Sequence, residues 1–319
     1  MIGLCRLCLK EADLQYGHIY PRFAVKWMKA TSATGYLRST ASAARMQDAE
    51  RQYLMCYDCE QILSKDEKAF AEQMFVPYHE RKQTSFDYGP WLGRFLAGLH
   101  WKVILARSPY EGLEQAKKII WDAESELRLF LLGHTETPGR AEFHVVLTDE
   151  IREANYLASP RLNAYMSRTL DGDCLANETG TVGVYAKILK VVSLAFLTAP
   201  DPAKERWEGT RVFEQGTLQT PQHVESESLI PFIKQRTAAV EKAIAALPAR
   251  EQERVAKAVL ANPERAISSE SYRTHVADRE LQRRIKWQPV AAGRRLKGRD
   301  RNQPCPCGSG EKAKKCHGR

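Results

Sequence analysis

What the chain lacks narrows its chemistry first. No apolar run approaches the roughly 18 to 20 residues of a membrane-spanning helix. The nearest stretch, VYAKILKVVSLAFLTAP at 184–200, is interrupted by Lys187 and Lys190. The N-terminus, MIGLCRLCLKEADLQ, has no apolar signal core, so the chain reads as cytoplasmic, with no membrane span. It has no G-x-x-x-x-G-K-[ST] phosphate loop, glycine-rich dinucleotide loop, H-E-x-x-H pair or Ser-His-Asp signature, which removes several common nucleotide-binding and hydrolytic classes. Acid is scarce in one region only. From Arg283 to Arg319 two carboxylates, Asp300 and Glu311, stand against 12 Lys and Arg, so the net charge of +9 belongs to the tail and the preceding residues are close to neutral. Such a tail attracts phosphate-rich or acidic partners through a salt-screened field, and it serves equally well as a solubilising linker.

What is present is cysteine in compact sets. Seven of the eight cysteines fall at the two ends, leaving Cys174 alone as a small apolar residue. In a cytoplasmic chain, close pairs favour metal chemistry over disulfides. At the C-terminus Cys305-x-Cys307 is followed eight residues later by Cys316-His317. Three thiolates and an imidazole suit tetrahedral zinc. Pro306, Gly308, Ser309 and Gly310 supply the tight turn, and Lys312, Lys314 and Lys315 offset the thiolate charge. A peptide this short has no core, so metal binding would supply its folding energy. The stretch NQPCPCGSGEKAKKCHG resembles the SEC-C motif, the zinc-binding tail known from the preprotein-translocase motor ATPase. The resemblance implies a module that docks a protein partner or the ribosome.

At the N-terminus Cys5-x-x-Cys8 and Cys56-x-x-Cys59 form a second quartet. Two such knuckles can close one tetrahedral thiolate site if the 47 intervening residues fold back. CYDCEQILSKDEKAF (56–70) reads as a helix opening at that metal. Knuckle, His18-Ile19-x-Pro21, and C-x-x-C on a helix together resemble the zinc-stapled treble clef of HNH nucleases. That resemblance implies His18 as the general base, with Mg2+ or Mn2+ polarising a DNA or RNA phosphate; Glu60 is the tentative carboxylate partner. It further implies a bacterial protein of a defence system. The chain departs from the family at Gly17, Arg51 and Glu60, where a metal-binding His or Asp, an Asn, and a final His or Asn are usual. Between the knuckles, basic residues interleaved with Trp27 and Tyr36 suit either nucleic-acid contact or an elaborated core.

The intervening chain is expected to be an α+β body, mainly helical with a small sheet. Helical stripes run over 88–107 and about 110–132, strands over 142–148 and either side of 176–182, and one or two strands, or a helix, over 183–198. An edge strand is expected at 211–218 and helices at 228–247, 248–261 and 264–286. The division read from this is 1–75, treble clef; 76–286, central domain; 287–302, flexible basic linker; 303–319, SEC-C motif. Two functions follow: a nucleic-acid-directed zinc protein with a metal-dependent endonuclease module, or a non-catalytic zinc adaptor that docks through its tail.

Overall fold

The computed structural model describes residues 1–40, 42–81, 83–107, 114–152, 159–178, 180–291, 298–305 and 311–316. In chain order the elements are β1 (Ile2–Leu4), β2 (Glu11–His18), α1 (Arg22–Ala30), β3 (Leu37–Arg38), β4 (Arg45–Met46), β5 (Arg51–Cys56) and α2 (Tyr57–Phe70). A π-helical stretch, Ala71–Phe75, leads into α3 (Val76–His79), so one helical run crosses residue 75. Then come β6 (Ser85–Tyr88), α4 (Pro90–Arg107), α5 (Glu114–Leu131), β7 (Glu142–Leu147), α6 (Leu162–Arg168), β8 (Leu170–Ala176), β9 (Val182–Ile188) and β10 (Val191–Phe196). Three short strands follow, β11 (Glu205–Glu208), β12 (Gly216–Gln219) and β13 (His223–Ser226). The chain ends on α7 (Leu229–Ala245), α8 (Ala249–Ala261), α9 (Pro263–Ser268), α10 (Glu270–Ala291), a 3-10 turn at Gly298–Asn302 and α11 (Ala313–Cys316). The fold class is α+β, as the sequence led one to expect.

The centre is an antiparallel sheet in the order β7-β10-β9-β8. Every residue of β9 and β10 is buried, because both faces are covered. That explains why VGVYAKI and VVSLAF read as continuous apolar runs rather than alternating ones. One face, with Val184, Ala186, Ile188 and Ala195, packs toward α4 and α5; the other, with Tyr185, Val192, Leu194 and Phe196, meets α6, α7 and α10. Residues 95–104 of α4 are all buried, since α4 lies between that sheet, α5 and α2. A single apolar cluster extends from Cys5 and Leu14 through Phe70 and Phe75 to Leu218, so the N-terminal sheet β1-β2-β5 and the central body share one core.

Three sequence expectations are corrected. The strand expected at 211–218 begins only at Gly216, pairing with β6, while Arg211 makes an isolated bridge to His144. The single helix expected at 264–286 is broken at Ser269, whose extended backbone (ψ 149°) ends α9 and whose hydroxyl accepts the Tyr272 N–H at the start of α10. The basic linker expected from 287 starts as helix, because α10 continues to Ala291. Trp27 takes the core alternative: its ring meets Phe75 and His79 edge-on, and its indole N–H donates to Glu270 at 3.3 Å.

Candidate metal centres

The N-terminal quartet assembles from three elements. Cys5 and Cys8 lie on the turn between β1 and β2, Cys56 ends β5, and Cys59 sits in the first turn of α2. The turn is closed by Cys5 N–H to the Lys10 carbonyl and Leu9 N–H to the Cys5 carbonyl, both 2.9 Å, with Leu9 in the left-handed region (φ 58°). Arg6 N–H donates to the Leu54 carbonyl at 2.8 Å and ties the turn to β5. All four Sγ atoms lie within 4.8 Å of one another. A tetrahedral zinc with Zn–S near 2.3 Å needs sulfurs about 3.8 Å apart, so this donor set fits zinc with small adjustment.

The electrostatics point the same way. Burial would raise the Cys5 thiol, yet N–H groups of Cys8, Cys56 and Leu7 outweigh it and bring the group down to about 7. The Cys56 N–H, for example, donates to Cys5 Sγ at 3.4 Å. Cys59 moves upward instead, through burial and then through its sulfur neighbours. Four crowded sulfurs can shed their protons together only beside a cation, which a divalent metal supplies.

His18 ends β2, and its Nε2 lies 3.0 Å from Asp48 Oδ1. Burial acts to raise Asp48, but the His18 bond and the Ala49 N–H leave it below the usual carboxylate range. Glu60 follows the knuckle on α2, and a Cβ at Gly17 would run into its carboxylate. A side chain at 17 would have to displace the Glu60 carboxylate. Burial raises Glu60, Lys102 opposes the shift and Glu67 adds to it. Lys102, on α4 and only 4% exposed, places its ammonium 2.7 Å from Glu67 Oε1 and 3.4 Å from the His18 carbonyl. An ammonium thus stands among the carboxylates beside His18. Among the described residues, the four cysteines are the only group of three or more His, Cys, Asp and Glu side chains that converges as a metal site. Neither His18, whose ring meets Asp48, nor Glu60, whose carboxylate lies against Gly17, belongs to such a group. Arg51, the cross-strand partner of His18, donates to the Tyr16 carbonyl, lies over the Tyr16 ring and stands 3.7 Å from Asp48 Oδ2.

At the C-terminus Pro304 bridges to Lys312, Cys305 N–H donates to the Glu311 carbonyl at 2.6 Å, and Ala313 N–H donates to Gln303 at 2.8 Å. This hairpin carries Cys305 toward α11, which ends on Cys316; Cys305 and Ala313 are buried. Both cysteines could bind zinc; the expected ligands Cys307 and His317 lie outside the described residues. None of the seven described cysteines is in a disulfide.

Sequence reading found the cysteines because each knuckle is local. It missed Asp48 and Lys102, which approach His18 from 30 and 84 residues away. Nothing in their local sequence marks them.

Residues 301–319 match the family model of the SEC-C motif, a zinc-binding motif. No curated protein and no solved structure matches the chain. None of these comparisons supports the HNH resemblance of the N-terminal module. No helix among the described residues is long and apolar enough to cross a membrane.

Proposed function

We propose that this chain is a non-catalytic, zinc-stabilised docking protein. In this reading Cys5, Cys8, Cys56 and Cys59 hold one structural zinc, and Cys305, Cys307, Cys316 and His317 hold a second. The basic arm that carries the second zinc is the contact surface for a polyanionic partner. The observation that carries the non-catalytic part is the Lys102 ammonium, 2.7 Å from Glu67 and beside the His18 carbonyl. A fixed cation there supplies the charge balance that a hydrolytic Mg2+ or Mn2+ would otherwise provide, and it would repel a second cation. The docking part rests on the SEC-C match and on the concentration of 12 Lys and Arg after residue 282.

The nuclease alternative draws its support from the His18–Asp48 pair, since a histidine held by a carboxylate is the usual arrangement for a general base. One experiment separates the two. Purified zinc-loaded protein is incubated with single- and double-stranded DNA and RNA plus Mg2+ or Mn2+, and binding is followed in parallel at two salt concentrations. The docking reading expects intact nucleic acid, and salt-sensitive polyanion binding that is weakened on deletion of residues 298–319, which removes six of the 12 Lys and Arg. Cleavage that vanishes in His18→Ala would overturn it.

A further inference from the structure

The paired strands β2 and β5 carry an aromatic surface that the cysteine quartet does not use. Residues opposed across two strands share a face of the sheet, and neighbours along a strand alternate. Tyr16 opposes Tyr53 and His18 opposes Arg51, so these four side chains lie on one face; Gln15 opposes Met55 on the other. Leu54 is an extra residue in β5, and this bulge turns Tyr53 away from the side of the buried Met55. In a regular strand residues 53 and 55 would point the same way, and the Tyr53 ring would follow Met55 inward. As built, Tyr16 and Tyr53 are 47% and 43% exposed, and their rings stack at 4.8 Å and 29°.

The rest of the face sets its electrostatics. The Arg51 guanidinium lies 4.5 Å over the Tyr16 ring and donates from Nε to the Tyr16 carbonyl at 3.0 Å. Asp48 is the acid beside it, 3.0 Å from His18 Nε2 and 3.7 Å from Arg51, so the charges here largely cancel and phosphate alone gains little. What the face presents is π surface, two planar rings open to water and backed by a cation. A cross-strand aromatic pair also stabilises its own strands, but that role needs no exposure. Open rings fit other flat rings, and unpaired nucleobases supply them, whereas a duplex keeps its bases in its own stack. The long-range attraction comes from elsewhere in the chain, from the 12 Lys and Arg after residue 282.

We propose that Tyr16 and Tyr53 stack the bases of a single-stranded nucleic acid whose phosphates are held by the basic arm. This rests on the docking reading and names its polyanion. The test is fluorescence anisotropy of the full-length, zinc-loaded protein with a labelled oligothymidylate and with an abasic strand of equal length, which keeps the phosphates and lacks the bases. Wild type, Tyr16→Thr, Tyr53→Thr and Tyr53→Phe are compared. Threonine suits a strand and phenylalanine keeps the ring, so unchanged melting temperatures and a Phe variant that binds like wild type separate lost stacking from lost fold. The expected result is oligothymidylate bound about fivefold or more tighter than the abasic strand, with that margin lost in each Thr variant and kept in the Phe variant. Oligothymidylate bound no tighter than the abasic strand, a margin that survives in both Thr variants, or its loss in Tyr53→Phe would overturn the proposal and leave the docking reading standing. No binding of either strand would overturn both.

Discussion

Lys102 shows how one residue can set what a site is able to do. Its side chain is 4% exposed and that of Glu67 25%, so the pair is held largely away from water. An exposed pair contributes little, but removing one partner of a shielded pair strands the other charge. Lys102→Met leaves Glu67 and the half-buried Glu60 without their cation, with an expected loss of about 3 kcal/mol in denaturant unfolding. Adding Glu67→Gln should restore part of that loss, and a purely additive double mutant would show that the two charges do not depend on each other. At the same scale, Cys59→Ser removes a ligand from the first turn of α2. Loss of one zinc per chain and a lower melting temperature are expected, since binding energy here is folding energy. The ligands were legible because C-x-x-C spacing is itself the geometry of a knuckle. The ion pair was not, because only the folded chain brings α4 to β2.

At the scale of elements, most helices follow from periodicity, whereas the continuous apolar run of β9 and β10 left strand and helix both open, and the joins between elements depend on single hydrogen bonds. Ser269 separates α9 from α10 by accepting the Tyr272 N–H at 3.1 Å. Periodicity runs on through 264–286, but a serine competes for backbone donors and so favours helix starts, which breaks the run at Ser269. Ser269→Ala should cost about 1 kcal/mol, checked by urea unfolding. Arg168 joins three helices: its guanidinium donates to Thr31 Oγ1 at 2.6 Å, to the Met28 carbonyl at 2.8 Å and to Glu270 at 3.1 Å. Arg168→Ala would leave Glu270 without its cation and loosen α1 from the helical end. A loss of roughly 3 kcal/mol is expected, with faster amide exchange in α1. Sequence pattern placed α10, but not its docking to α1, because Arg168 and Glu270 are 102 residues apart.

Across the whole molecule, buried histidines set the response to acid. Burial lowers His79 to about 3, against a weaker opposing bond from its ring to the Phe75 carbonyl, and burial alone takes His100 to about 3. Because both folded values lie below the unfolded value near 6.5, their neutral forms support the fold fully above that pH. The support is lost as pH falls toward 3. Between pH 7.5 and 5 each histidine should cost about 2 kcal/mol. Asp278 works the other way: burial raises it to about 6, so the folded state takes up its proton first and regains roughly 1 kcal/mol over the same interval. With buried His144 lowered as well, unfolding free energy in excess zinc should fall from pH 7.5 to 5, and a flat profile would contradict this assignment.

The most direct test of two structural zinc sites without a hydrolytic metal is a metal count by native mass spectrometry, after purification in zinc with Mg2+ and Mn2+ offered in excess. Two zinc ions per chain are expected in the wild type, falling to one in Cys59→Ser and to one in Cys305→Ser, with no further ion retained. A third ion lost in His18→Ala, or a wild-type count below two, would contradict the assignment.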